Sequence, residues 1–205
     1  MGKVSELNAK QKGFQYQIWL MLVIVGGVIL AGFLMVPNTE EQRQQMLSRL
    51  GTTNVGELVK PTLDFSSVLT DLDSTEKPKW IIATTGGSGC DATCEAMLFD
   101  TRQVHMLLGK STRRVERVYL YDVENTTPDQ IENIKQVHPF LAIIPVISSE
   151  LLAILGGSSA QWDMQTPRHF VISPDQKAIL YYTADHDGNG LLDDLKHLLK
   201  YSPDR

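Results

Sequence analysis

Positive charge is not in excess in this chain: 19 lysines and arginines stand against 24 aspartates and glutamates, a formal net charge of −5 over 205 residues. The basic footprint needed to bind a phosphate backbone is missing, which argues against nucleic acid as a partner. Cysteine is equally scarce. Only Cys90 and Cys94 occur, and no CxxC or HxxxH companion completes the four ligands of a zinc site. The stretch DHDGNG, residues 185–190, opens like a calcium loop but has Lys196 at position twelve, where a bidentate glutamate belongs. It reads as a turn whose asparagine and glycines start the last helix. Internal repeats and low-complexity tracts are absent, and the length suits one domain with an appendage.

One long apolar run is present, IWLMLVIVGGVILAGFLMV, residues 18–36, without a charge. As a helix it is long enough to cross a hydrocarbon core of ~30 Å. It ends at Met35, Val36 and Pro37 without a small-x-small cleavage site, which favours an uncleaved anchor over a signal peptide. Lys3, Lys10 and Lys12 precede it, so the positive-inside rule keeps the N-terminus in the cytoplasm. The expected organisation is a cytoplasmic segment 1–17, a single transmembrane helix 18–36, a polar stalk 37–60 and a globular domain 61–205. For a bacterial host this means the inner membrane, single-pass, with the C-terminal domain in the periplasm.

Within the globular part, KWIIATT (79–85) is a buried strand bounded by Pro78 and Gly86. Apolar residues from Ala96 to Leu108 then recur at spacings of three and four, predicting a helix stopped by Gly109. VERVYLYD is a second strand. In TTPDQIENIKQVHP, Thr127 is the expected N-cap, Pro128 the first helical residue and Gln130 the capping-box partner. FLAIIPVI is a third strand, SSELLAILGG a short helix capped by serine, RHFVISPDQKAILYYT a hairpin, and GLLDDLKHLLK a closing amphipathic helix. The order β-α-β-α-β-α-β-β-α implies an α/β fold with a mixed, mostly parallel sheet flanked by helices.

Cys90 and Cys94 stand where the first strand hands over, through the glycine-rich TGGSG loop, to the first helix. A helix N-terminus favours a thiolate, which makes Cys90 the nucleophile and Cys94 the resolving partner, although Asp91 and Glu95 oppose the shift. Residues four apart on a helix are close enough to form a disulfide. Three readings stay open: a redox pair, two soft ligands for copper(I), and a structural disulfide. Among the histidines, His105 reads as a packed or partly exposed core residue, His138 as a cation at a helix C-terminus, and His197 as a surface group. His169 is the one candidate third ligand.

An order of this kind with CxxxC at the first strand–helix junction is similar to a thioredoxin-like domain. Together with VYLYDVENTTPDQIENIKQVHP it resembles the Sco/SenC family of membrane-anchored cytochrome c oxidase assembly proteins, over roughly residues 80–200. That resemblance implies copper bound by Cys90, Cys94 and a histidine, and delivery of copper to the dinuclear copper centre of the oxidase or reduction of its thiols. It therefore implies an oxidase subunit, or another copper or thiol chaperone, as partner. The family's Asp-His pair is replaced here by Asp163 and Met164, so Met164 or His169 is the expected third donor, and the proline between the family's cysteines is absent. Pro167 falls where thioredoxin-like proteins hold a cis-proline beside the thiols, which predicts a cis Thr166–Pro167 bond. The alternative in a different class is a non-catalytic assembly factor with a structural disulfide.

Overall fold

The computed structural model describes residues 17–30, 54–70, 72, 77–86, 89–160, 162–163 and 165–202. The chain divides into two units, residues 1–52 and 53–205. In the first, residues 17–30 are helical with exposed apolar side chains. No helix among the described residues is long and apolar enough to cross a membrane. Residues 31–36, the end of the expected span, and most of the expected stalk lie outside the described residues.

The second unit is built on six strands: β1 (Glu57–Asp64), β2 (Trp80–Thr85), β3 (Val115–Asp122), β4 (Ala142–Val146), β5 (Arg168–Ile172) and β6 (Lys177–Tyr182). Four helices accompany them: α1 (Ala92–Leu107), α2 (Pro128–Val137), α3 (Ser148–Leu155) and α4 (Gly188–Tyr201). The sheet order is β1-β6-β5-β2-β3-β4. β2, β3 and β4 run parallel, joined by helices as their separation demands, while β5 runs antiparallel to β2 and forms a hairpin with β6.

Side chains alternate across the sheet. Ile81, Ala83, Val118, Leu120, Phe170 and Ile172 pack on one face against α3 and the segment around Phe65 and Leu69. Ile82, Val115, Val171, Leu180 and Tyr182 face α1 and α4, and Tyr119 on the same side meets α1 and α2. All six residues of β2 are buried, which follows from its central place between two covered faces.

Two expectations about the elements need correction. β1 takes up residues 57–60, assigned above to the stalk, and pairs with β6 across a register shift that spans the cis Lys60–Pro61 bond. Its burial is weakly patterned because it is an edge strand, so periodicity does not reveal it. α3 has no serine cap: Ile147 occupies the N-cap, and the Ser148 hydroxyl donates to the Asp122 carboxylate instead. The capping box of α2 is present as expected, with the Gln130 N–H on Thr127 Oγ1 and the Thr127 N–H on Gln130 Oε1.

Candidate functional site

The site is assembled where β2 ends. Asp91, and not a cysteine, is the N-cap of α1: its carboxylate accepts from the Cys94 N–H at 2.9 Å, satisfying one of the orphan donors of the first turn. Cys90 therefore sits just before the cap and Cys94 in the first helical turn. They are joined in a disulfide, with Cα atoms 5.1 Å apart. Cys90 is half-buried and Cys94 is completely buried, packed with Leu98, Tyr119, Ile131 and Ile134. The two cysteines of the pair thus differ in burial, and attack by an external thiolate is more open at Cys90 than at Cys94.

Two glycines shape the approach. Gly89 has φ +68°, in the left-handed region that suits glycine, and lies against the Gln130 side chain and the Asn125 carbonyl. The loop before α1 is thereby held against the loop after β3. At Gly86 a Cβ would lie 2.7 Å from Cys94 Sγ and 2.8 Å from the Tyr119 hydroxyl, so only a hydrogen fits. We expect Gly86→Ala to destabilise the oxidised protein by about 1–3 kcal/mol, the usual range for overpacking, as measured by urea unfolding. A loss below about 0.5 kcal/mol would contradict this packing.

Around this centre the polar groups are specific. The Tyr119 hydroxyl is buried without a hydrogen-bond partner among the described residues, and burial, with the Asp91 charge, pushes its pKa up to about 12. Asp122, at the end of β3, is pushed up by burial, but the Ser148 hydroxyl, the Asn125 amide and the Glu124 N–H all donate to it and hold its pKa below the usual carboxylate value. An open groove of about 310 Å³ between α1 and α2 is lined by residues including Ala92, Glu95, Phe99 and His138.

The other expected site residues fall differently. His169 lies on β5 opposite Thr84 of β2, beneath α1, and is 4% exposed. Its Nδ1 pairs with the Thr84 hydroxyl at 3.0 Å. Burial first, then the Arg117 charge, pushes its pKa down to about 3. In this arrangement the expected third donor is an enclosed ring already paired with Thr84. Met164 lies outside the described residues. Among the described residues, no three His, Cys, Asp or Glu side chains stand together as a metal site.

Pro167 is buried at the start of β5, but the Thr166–Pro167 bond is not cis; the cis bond among the described residues is Lys60–Pro61. The turn before β5 is closed by other means. Asp163 accepts from the Thr166 N–H at 2.7 Å, and the Arg168 guanidinium donates to the carbonyls of Asp163 and Thr166. His138 is also corrected: it ends α2 but is 3% exposed, and burial with the nearby Arg117 and Arg102 charges lowers its pKa, so it is not the expected cation. His105 is half-buried, with Nε2 3.0 Å from the Val115 carbonyl.

Sequence reading missed Tyr119 and Gly86. The alternation in VYLYD puts Tyr119 on the helix-covered face of β3, which was the available signal; that it meets Cys94 depends on the packing of α1 over β3.

A central sheet of this order, with a CxxxC disulfide at the head of the helix that follows its first core strand, defines a thioredoxin-like domain. A family model described as the transmembrane-like, thioredoxin-like, C-terminal domain matches residues 80–202, and the chain belongs to that family. No curated protein matches the sequence. Among solved structures, yeast Sco1 with copper bound is similar at 13% identity and TM-score 0.51, over 75% of this chain and 98% of that one. Arabidopsis thaliana ScoI with copper bound is similar at 21% identity and TM-score 0.48, over 60% of this chain and 86% of that one. BsSco, a member of the Sco family of cytochrome c oxidase assembly proteins with a disulfide switch, is similar at 15% identity and TM-score 0.48, over 75% and 99%. At these identities the likeness is one of fold.

Proposed function

We propose that this chain is a Sco-like thiol-disulfide exchange protein that serves a copper-site client. The observation that carries the reading is the Cys90–Cys94 disulfide, with Cys90 half-buried and Cys94 enclosed. In the reduced form, the Cys90 thiolate attacks a client disulfide, forming a mixed disulfide and releasing one client thiolate. The Cys94 thiolate then attacks Cys90 Sγ, restoring the internal bond and releasing the second client thiol. Two electrons pass to the client, and a dithiol reductant returns the pair to its starting state.

Copper(I) enters this reading as cargo. Two thiolates one helical turn apart suit a soft ion, and yeast Sco1, of the same fold, is a copper-bound protein. Cys90 and Cys94 are the donors that fit, since His169 is engaged elsewhere. The wider proposal follows from the Sco resemblance and the apolar run at 18–36: a single-span protein of the inner membrane, its domain in the periplasm, meeting the cytochrome c oxidase subunit that bears the dinuclear copper centre or another chaperone.

The complete burial of Cys94 favours one other reading, a structural disulfide in a non-catalytic docking factor. The test is a cell lacking the protein, supplied with wild type or with the Cys90→Ser/Cys94→Ser double variant at equal protein level. The exchange reading expects the double variant to leave the copper-containing oxidase unassembled. Full rescue by the double variant would overturn it in favour of docking.

A further inference from the structure

A buried hydroxyl without a partner needs an explanation, because native proteins seldom leave one. Tyr119 has no exposure, and its hydroxyl has no hydrogen-bond partner among the described residues of the disulfide form. It is not remote from the chemistry. Cys94 Sγ and the Tyr119 oxygen both lie within 2.8 Å of the single point a Cβ on Gly86 would occupy. Glycine at that position lets the phenol and the sulfur share the space beside the end of β2.

A disulfide sulfur is a poor acceptor, whereas a thiolate accepts a charge-assisted hydrogen bond. We propose that Tyr119 is a positioning residue whose hydroxyl donates a hydrogen bond to the Cys94 sulfur once the disulfide is opened, favouring the dithiol form. The inference rests on the exchange reading above. An external dithiol supplies two electrons as its own sulfurs join; the Cys90–Cys94 bond breaks, Cys94 leaves with the electron pair as a thiolate, and of the two protons released by the dithiol one passes to Cys90 and the other to solvent. Tyr119 keeps its proton throughout, as its raised pKa requires, and holds the sulfur through the O–H. The enclosed position of Cys94 offers few other donors, since its neighbours Leu98, Ile131 and Ile134 are apolar.

The test is equilibration of the full-length protein, wild type and Tyr119→Phe, with mixtures of reduced and oxidised dithiothreitol. The expected result is a pair about tenfold harder to reduce in the variant, a potential about 30 mV lower, with the oxidised variant unfolding no earlier than wild type. A purely structural role would move the unfolding and leave the potential alone. Equal potentials overturn this inference and leave the exchange reading standing. A wild-type disulfide that resists excess dithiothreitol overturns both. Should Tyr119→Phe not fold, wild-type protein labelled at tyrosine Cζ carries the decision: the Tyr119 resonance is expected to shift on reduction, and an unmoved resonance overturns the inference.

Discussion

Acidification from pH 6.5 towards pH 3 is expected to strip this protein of stability on the order of 4–5 kcal/mol through His169 alone. The folded pKa is lowered to about 3 by burial and by Arg117, against 6.5 when unfolded. Between those values the unfolded chain binds a proton that the folded one refuses. Stability from this group is therefore complete above pH 6.5 and falls by ~1.4 kcal/mol per pH unit below it. An enclosed ring paired with the Thr84 hydroxyl and facing the Arg117 charge is held neutral, because burial and a like charge both disfavour its protonated form. His138, whose pKa is also lowered, contributes in the same direction. Urea unfolding of wild type and His169→Gln at pH 7, 5 and 4 separates the two histidines. The variant, less stable at pH 7, should show a slope shallower by about one proton, and equal slopes would rule out the assignment.

The second large effect concerns Asp194. This carboxylate on α4 is 3% exposed and accepts from the backbone N–H groups of Val55 and Gly56, each at 2.9 Å, and from the Tyr182 hydroxyl at 2.6 Å. It joins three parts of the unit: the chain entering β1, the end of β6 and the closing helix. Asp194→Ala leaves the buried Gly56 N–H and Tyr182 O–H unpaired, at about 1–3 kcal/mol each, so a total loss of about 3–4 kcal/mol is expected. Asp194→Asn keeps an acceptor oxygen and should lose less. Urea unfolding monitored by tryptophan fluorescence measures both, and a loss under about 1 kcal/mol for the alanine variant would mean the network is not holding β1 in place.

The two residues differ in how visible they were. His169 was noticed, but as a ligand, because the family resemblance calls for a histidine donor before the hairpin turn at Pro174 and Asp175. The antiparallel register of β5 on β2 brings Thr84 to its ring and turns it into a buried neutral group. Asp194 reads as one polar residue in an amphipathic helix, and nothing near it in the sequence announces that residues 139 positions earlier donate to it. Tyr119 and Gly86 are similar: 33 residues apart, each ordinary in its own strand or loop, meaningful only where α1 packs over β3.

What the sequence by itself determined is local. The capping box at Thr127, the burial of β2, the stop at Gly109 and the closeness of Cys90 and Cys94 all follow from periodicities and spacings within a single element. Tertiary structure alone decided the placement of β1 beside β6, the trans bond before Pro167, the pairing of His169 with Thr84 and the phenol beside Cys94 that has no partner among the described residues. The physical reason is separation along the chain. Short-range dihedral and side-chain preferences dictate turns and helices, but a hydrogen-bond partner across a sheet exists only after distant segments have been brought together by the burial of the two faces they share.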